Sequence, residues 1–184
     1  MLDGGARLLQ LRAKTLPSRD FLELADAVVA IAGRYGASIV INDRVDIAKL
    51  SGAAGVHVGQ DDLPPAAARG LLGDAAIVGF STHTVEQIDA AVREPISYLA
   101  VGPVFGTHSK DTGYDAVGLD LVAEAVRRAG TLPVVAIGGI TIENASSVLG
   151  AGAASVAVIS DLLAGGDPQQ RTRAILRSLT DNRV

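Results

Sequence analysis

The chain has 184 residues and a formal charge of −4, with no cysteine, three histidines, three tyrosines, three phenylalanines and no tryptophan. Its length suits one domain with a sizeable core. The acidic balance and the scarce aromatics exclude a general nucleic-acid surface or a single-strand stacking platform; the missing cysteine excludes disulfides and thiolate chemistry, and with so few histidines argues against structural zinc.

No apolar run reaches the ~18–20 residues of a membrane span. Residues 1–5 have neither the basic start nor the apolar core of an export signal, so a cytoplasmic location is expected. Leu2-Asp3-Gly4-Gly5 reads as the last turn of a helix with a glycine stop, leading straight into a first strand over 6–12. A helix over 21–36 follows, with Ser18 as its N-cap and Gly36 as its stop. Next come a strand at 38–42, a helix at 45–50, a strand at 55–59 and a helix at 64–72 with Pro65 in its first turn. After the strand at 76–80, Thr84-Val85-Glu86-Gln87 has the spacing of a capping box for a helix ending near Val92. Strands at 97–102, 133–138 and 155–160 alternate with helices at 119–129, 142–150 and 168–179.

Strict strand–helix alternation predicts a parallel sheet in a single domain over 1–184, of the TIM (β/α)8 barrel type. Seven strand–helix units are recognisable, whereas a closed barrel has eight, so the first strand is expected to be missing at the N-terminus. Two unpaired edges would then remain. They predict either low stability, association into a homo-oligomer, or roughly 20–30 upstream residues supplying one further unit.

In such a barrel the carboxyl ends of the strands open onto one face, where their polar residues converge. Gln10, Arg12 and Lys14 alternate and share one side of an extended chain; two cations and an amide there suit an oligophosphate, or form a solvated strand end. Asp43 ends its strand and an Asp61-Asp62 pair follows the next, so two carboxylates could share one Mg²⁺. Periodicity does not choose between Asp61 and Asp62. Ser81 either donates to phosphate or caps the next helix. The 102–115 loop carries Thr107, Ser109 and Lys110 and could cover a phosphate. Backbone N–H groups at 136–141, around Gly139, and the turn at Ile159-Ser160 lie on the last two strands, a usual place for phosphate. His57 reads as a packed strand residue with a satisfied nitrogen, while His83 and His108 read as loop residues, exposed or touching a ligand. None has a nucleophile beside it in sequence.

Taken in order, LQLRAK, VINDRVDIA, GVHVGQDDLP, GFSTHT, AVGPVFGTHSKDTGYDAVG, AIGGIT and VAVIS resemble the thiamine-phosphate synthase/thiazole tautomerase family over nearly the whole chain. The resemblance implies a Mg²⁺-dependent transferase joining 4-amino-2-methyl-5-pyrimidinylmethyl diphosphate to a phosphorylated hydroxyethylthiazole, which gives thiamine phosphate and diphosphate. It makes Asp43 and Asp62 the metal ligands. Gln10, Arg12, Lys14, Asn42, Ser81 and Lys110 become contacts of the pyrimidine diphosphate, with Arg12, Lys14, Ser81 and Lys110 carrying catalysis. Thr107, Ser109, Gly139, Ile159 and Ser160 become contacts of the thiazole phosphate. Ser109 stands where the family commonly has Thr and keeps the hydroxyl. In the tautomerase branch a histidine follows the glycine that is Gly102 here; this chain has Pro103, which together with the two aspartates favours the synthase. The remaining alternative is a non-catalytic phosphate-binding or regulatory relative. Small phosphorylated molecules, and neither nucleic acid nor a membrane, are the partners expected.

Overall fold

The computed structural model describes residues 1–106 and 113–181. Its centre is a seven-stranded, all-parallel sheet in the order β1-β2-β3-β4-β5-β6-β7, each strand pairing with the next in sequence. The strands are β1 (Leu8–Leu11), β2 (Ser38–Asn42), β3 (Gly55–Val58), β4 (Ile77–Thr82), β5 (Tyr98–Val101), β6 (Val134–Ile137) and β7 (Ser155–Ala157). Helices return the chain between strands: α1 (Ser18–Gly33), α2 (Val45–Ser51), α3 (Pro65–Leu72), α4 (Val85–Ala91), α5 (Gly118–Ala129) and α6 (Ala145–Gly150). After β7 come a one-turn helix, α7 (Ser160–Leu163), and the final α8 (Pro168–Asp181). None is long and apolar enough to cross a membrane.

Alternation along each strand sends one set of side chains to the helices. Ile39, Ile41, Val56 and Val58 meet Phe21, Ala25, Val45, Ile47 and Ala68 from α1, α2 and α3. Leu99, Val101, Val134 and Ala136 meet Ile88, Val122, Ala125 and Val148 from α4, α5 and α6. Phe80 touches both groups and joins them into one layer between sheet and helices. These side chains are almost wholly removed from water, so each isoleucine or leucine contributes roughly 1.5–3 kcal/mol.

The other face of the sheet is the one that matters for function. The register places Asn42, His57, Gly79 and Tyr98 side by side on it, with Ser81 two residues farther along β4. At the two edges this face is open: Leu8 and Gln10 on β1, and Ser155 and Ala157 on β7, are exposed. Among the described residues no strand lies between β7 and β1. The outer layer nevertheless meets itself there. The 3-10 turn Leu2–Gly4 packs on α8, with Arg173 donating to the Asp3 carbonyl at 3.2 Å.

Local geometry corrects three boundaries. Ser18 is the first residue of α1, with Pro17 as N-cap, and its hydroxyl accepts instead from Arg44 at 3.1 Å. The strand expected over 155–160 stops at Ala157, so Ile159 and Ser160 belong to the start of α7. Helix α6 begins at Ala145 and not at 142, because Asn144 Oδ1 accepts from the Thr141 N–H at 2.8 Å and shapes a turn first. Gly5 and Gly36, by contrast, take the left-handed stops expected of them (φ 105° and 60°).

Candidate active site

At the carboxyl ends of β1, β2 and β3 the acidic and basic residues meet. Asp43 continues the ladder by donating its N–H to the His57 carbonyl (2.8 Å), but its own backbone is left-handed, at φ 63°. For a non-glycine residue that conformation is costly and marks a position held by its surroundings. Its carboxylate pairs with Lys14 Nζ at 3.0 Å. Asp62 Oδ2 accepts from the Gly59 N–H at 2.7 Å. Burial pushes the Asp62 carboxyl above the ordinary range, and the neighbouring Asp43 raises it further, opposed by the Gly59 N–H and Lys14. Asp62 is thus the member of the Asp61-Asp62 pair that approaches Asp43, while Asp61 is exposed.

Two adjacent carboxylates that resist sharing negative charge form a donor set that fits a magnesium ion. Such an ion commonly takes one or two carboxylates and leaves the remaining positions to water and phosphate. No cluster of three or more metal-ligating side chains exists among the described residues, so Asp43 and Asp62 stand as a pair. Beside them lies a cavity of about 200 Å³ lined in part by Lys14, Asn42 and Asp43. Gln10 and Arg12 are exposed on the same end of β1 and have no polar side-chain partner among the described residues.

Ser81, at the end of β4, is 1% exposed. It does not cap α4: Thr84 Oγ1 does so, accepting from the Gln87 N–H at 3.3 Å, while Gln87 Oε1 accepts from the His83 N–H at 2.7 Å. Instead Ser81 Oγ lies 2.7 Å from His57 Nε2, and His57 Nδ1 lies 2.8 Å from the Tyr98 hydroxyl. Gln60 Nε2 donates to the Ser81 carbonyl at 2.7 Å. His57 is packed with satisfied nitrogens, as its sequence suggests, but one of its partners is a candidate site residue. His57, Gln60 and Tyr98 are therefore the neighbours that sequence reasoning missed. The signal available was a glycine inside an apolar strand, which marks a close approach. His83 is buried, not an exposed loop residue; its Nδ1 donates to the Gly102 carbonyl and its ring stacks on Tyr114 with centroids 3.9 Å apart.

At β6 and β7 the backbone dominates. Val104 and Phe105 donate their N–H groups to the carbonyls of Ile137 and Gly138, so the loop after β5 lies flat on the turn after β6. Gly138 and Gly139 have positive φ, and a Cβ on either would meet Pro103 or Phe105 at 2.5–2.7 Å. Of the N–H groups expected to be free in this turn, those of Thr141 and Ile142 are taken, by Asn144 Oδ1 and by Asp161 Oδ2. Those of Gly139, Ile140 and Ser160 have no partner among the described residues. Asp161 ties this region to α8, accepting two hydrogen bonds from Arg171 at 2.7 and 3.1 Å. Ile159 is 60% exposed.

Thr107, His108, Ser109 and Lys110 lie outside the described residues. The structure thus brings Lys14, Asp43 and Asp62 together, sets Asn42 and Ser81 on the same face, and leaves Gly139, Ile159 and Ser160 as a separate group just beyond the last two strands.

Comparison with known proteins points one way. The family model for thiamine monophosphate synthase matches residues 1–162. The thiamine-phosphate synthase of Roseiflexus castenholzii is 45% identical over 174 residues, covering 95% of this chain and 76% of that protein. A putative thiamine-phosphate synthase of Geobacter sulfurreducens is 45% identical over 178 residues, covering 97% and 83%. The solved structure of thiamine phosphate pyrophosphorylase from Pyrococcus furiosus superposes with a TM-score of 0.91 at 31% identity, covering 100% of this chain and 87% of that one. A sequence match over nearly all of this chain, agreeing with a match in fold, leaves a single conclusion: this chain belongs to the thiamine monophosphate synthase family.

Proposed function

We propose that the protein joins 4-amino-2-methyl-5-pyrimidinylmethyl diphosphate to 4-methyl-5-(2-phosphooxyethyl)thiazole, releasing diphosphate and thiamine phosphate, as a soluble cytoplasmic enzyme. The observation that carries this reading is the pairing of Asp43 with Asp62 beside Lys14, at the strand ends facing the exposed Arg12 and Gln10. It is an oligophosphate site with two carboxylates for a cation. Asp43 and Asp62 would hold Mg²⁺, which when bound supplies positive charge to the departing diphosphate.

The remaining work falls to the chain's own groups. Arg12, Lys14 and Lys110 bind the diphosphate oxygens and stabilise charge as the methylene C–O bond breaks, its electron pair leaving with diphosphate. Gln10 and Asn42 orient the aminopyrimidine. The thiazole nitrogen lone pair then forms the new C–N bond to the methylene carbon, so no protein nucleophile and no net proton transfer are required. Gly139, Ile159 and Ser160, with Thr107 and Ser109, hold the phosphate of the thiazole, and the two substrates react because they are kept in register.

Incubation with both substrates and Mg²⁺ tests the proposal by mass analysis of the product. Thiamine phosphate formation with release of diphosphate is expected. Interconversion of thiazole isomers without coupling would reassign the chain to the tautomerase branch, a role Pro103 argues against; binding without turnover would make it a phosphate-binding relative.

A further inference from the structure

Helix α1 carries apolar side chains where a surface helix carries polar ones. Leu24, Ile31 and Tyr35 are 38%, 46% and 39% exposed, with Ala27 exposed and Val28 half-buried among them. At about 100° per residue these five fall within one stripe about 100° wide. Tyr35 stays in line past the end of the helix because its N–H and that of Arg34 bond to the carbonyls of Ala32 and Ile31, at 2.9 and 3.1 Å. The inner side of the same helix is already satisfied, with Phe21, Ala25 and Ala32 buried in the layer beneath it. Helix α1 therefore has a second apolar face, uncovered among the described residues. A contiguous apolar patch rimmed by charge marks an interaction surface.

The stripe is complementary to itself. Leu24 and Tyr35 share a midpoint with Val28 and Ile31, between Val29 and Ala30. A twofold axis at that point, perpendicular to the helix, lays a second α1 antiparallel on the first. Leu24 then meets the partner's Tyr35 and Val28 meets the partner's Ile31, while Ala27 leaves room for the backbones to approach. The same operation matches the charges. Glu23 and Arg34 flank the stripe on one side, are exposed, and form no ion pair among the described residues. The axis brings Glu23 within two residues, about 3 Å along the helix, of the partner's Arg34, and does so twice. A parallel pairing would instead set like charges side by side.

We propose that α1 is the interface of a homodimer, in which two copies pack antiparallel through Leu24, Val28, Ile31 and Tyr35 and Glu23 pairs with the partner's Arg34. The surface does not depend on which substrates the strand ends take. A helix of 16 residues is about 24 Å long. The buried area thus lies at the low end for specific interfaces, and a dissociation constant on the order of 10 µM is expected.

Sedimentation equilibrium of the full-length chain, from about 1 µM to about 1 mM, spans that affinity. A concentration-dependent monomer–dimer equilibrium is expected. Ile31→Glu places a carboxylate beside the axis in both copies and should raise the dissociation constant at least about tenfold, with the circular dichroism spectrum unchanged. Glu23→Arg and Arg34→Glu should each weaken the dimer about three- to tenfold, and the double substitution should restore it to within about twofold of the wild type. The charge exchange decides the matter even where Ile31→Glu disturbs folding. A monomer at every concentration, as follows if the stripe seats another protein or another segment of chain, overturns the proposal. So does a dimer that ignores Ile31→Glu, or one that the double substitution weakens as much as the two single ones together.

Discussion

Gly79→Ala adds one methyl group and no charge, at a position whose backbone is ordinary extended strand. Its effect is therefore steric and can be worked from distances. The new carbon would stand 2.1–2.6 Å from three atoms of the Tyr98–His57 contact, all of them inside the sheet. The tyrosine ring has to withdraw, which forfeits its bond to His57 (about 1 kcal/mol) and overpacks the interior (about 1–3 kcal/mol). The lower entropy of an unfolded alanine returns only about 0.4–1 kcal/mol. A net loss near 2 kcal/mol is expected, roughly 4–8 °C in Tm for a domain of this size. Urea unfolding followed by circular dichroism and by tyrosine fluorescence measures it, coincident curves establishing that the transition is two-state. The same clash predicts that Tyr98→Ala costs at least ~1 kcal/mol less in Gly79→Ala than in the wild type. If Gly79→Ala is as stable as the wild type, or if the two substitutions add, the bridge over β4 is not what the glycine is for.

Other expectations follow from the same geometry. Asp161 is 8% exposed and its partner Arg171 is 26% exposed, so Arg171→Met leaves a largely buried carboxylate unpaired and should cost about 2–3 kcal/mol. Because Asp161 also holds the Ile142 N–H, KM for the thiazole phosphate should rise more than KM for the pyrimidine diphosphate; equal changes would detach Asp161 from that half of the site. The folded-state pKa of Asp62 lies above its unfolded value, so ionising it works against the fold: the penalty is absent in acid and grows as pH rises through the carboxylate range. Asp62→Asn should consequently be at least as stable as the wild type at pH 7 without metal, yet gain nothing from Mg²⁺, in thermal melts taken from pH 4 to 7. A Mg²⁺-dependent rise in its Tm would refute the paired-carboxylate site. Thr84→Ala should destabilise by about 1 kcal/mol through loss of the α4 cap, with kcat unchanged.

The seven strands and their helices are legible in the chain because each strand is a short, mostly aliphatic run closed by a polar residue or glycine, and those from β2 to β6 are largely buried. Ends are less legible where side chains override pattern. Ile159-Ser160 extends an apolar run, yet the chain turns there into α7, and Asn144 delays α6 by capping a turn that begins at Thr141. The aspartates, the basic strand end and Ser81 are visible as polar residues closing apolar runs. What joins them is not, since it depends on register: His57 and Tyr98 are 41 positions apart and become neighbours only because both align with Gly79. Equally, Asp62 is distinguished from Asp61 by the three-residue turn that aims it at the Gly59 N–H, a matter of loop geometry and not of periodicity.

The opening between β7 and β1 falls between the strand that carries Gln10 and the strand that leads to Ser160. The residues proposed for the two substrates thus lie toward opposite edges of the sheet, with five strands between them. Across that gap the outer layer is joined by the contact at Gly4, where the N-terminal turn leans on α8. A Cβ at Gly4 would meet the Gln169 carbonyl at 2.6 Å and Thr172 Cβ at 2.7 Å. A side chain there would act as a wedge at the back of the molecule, pushing the N-terminal turn and α8 apart. In the proposed reaction it would change the spacing of the two substrates without touching either.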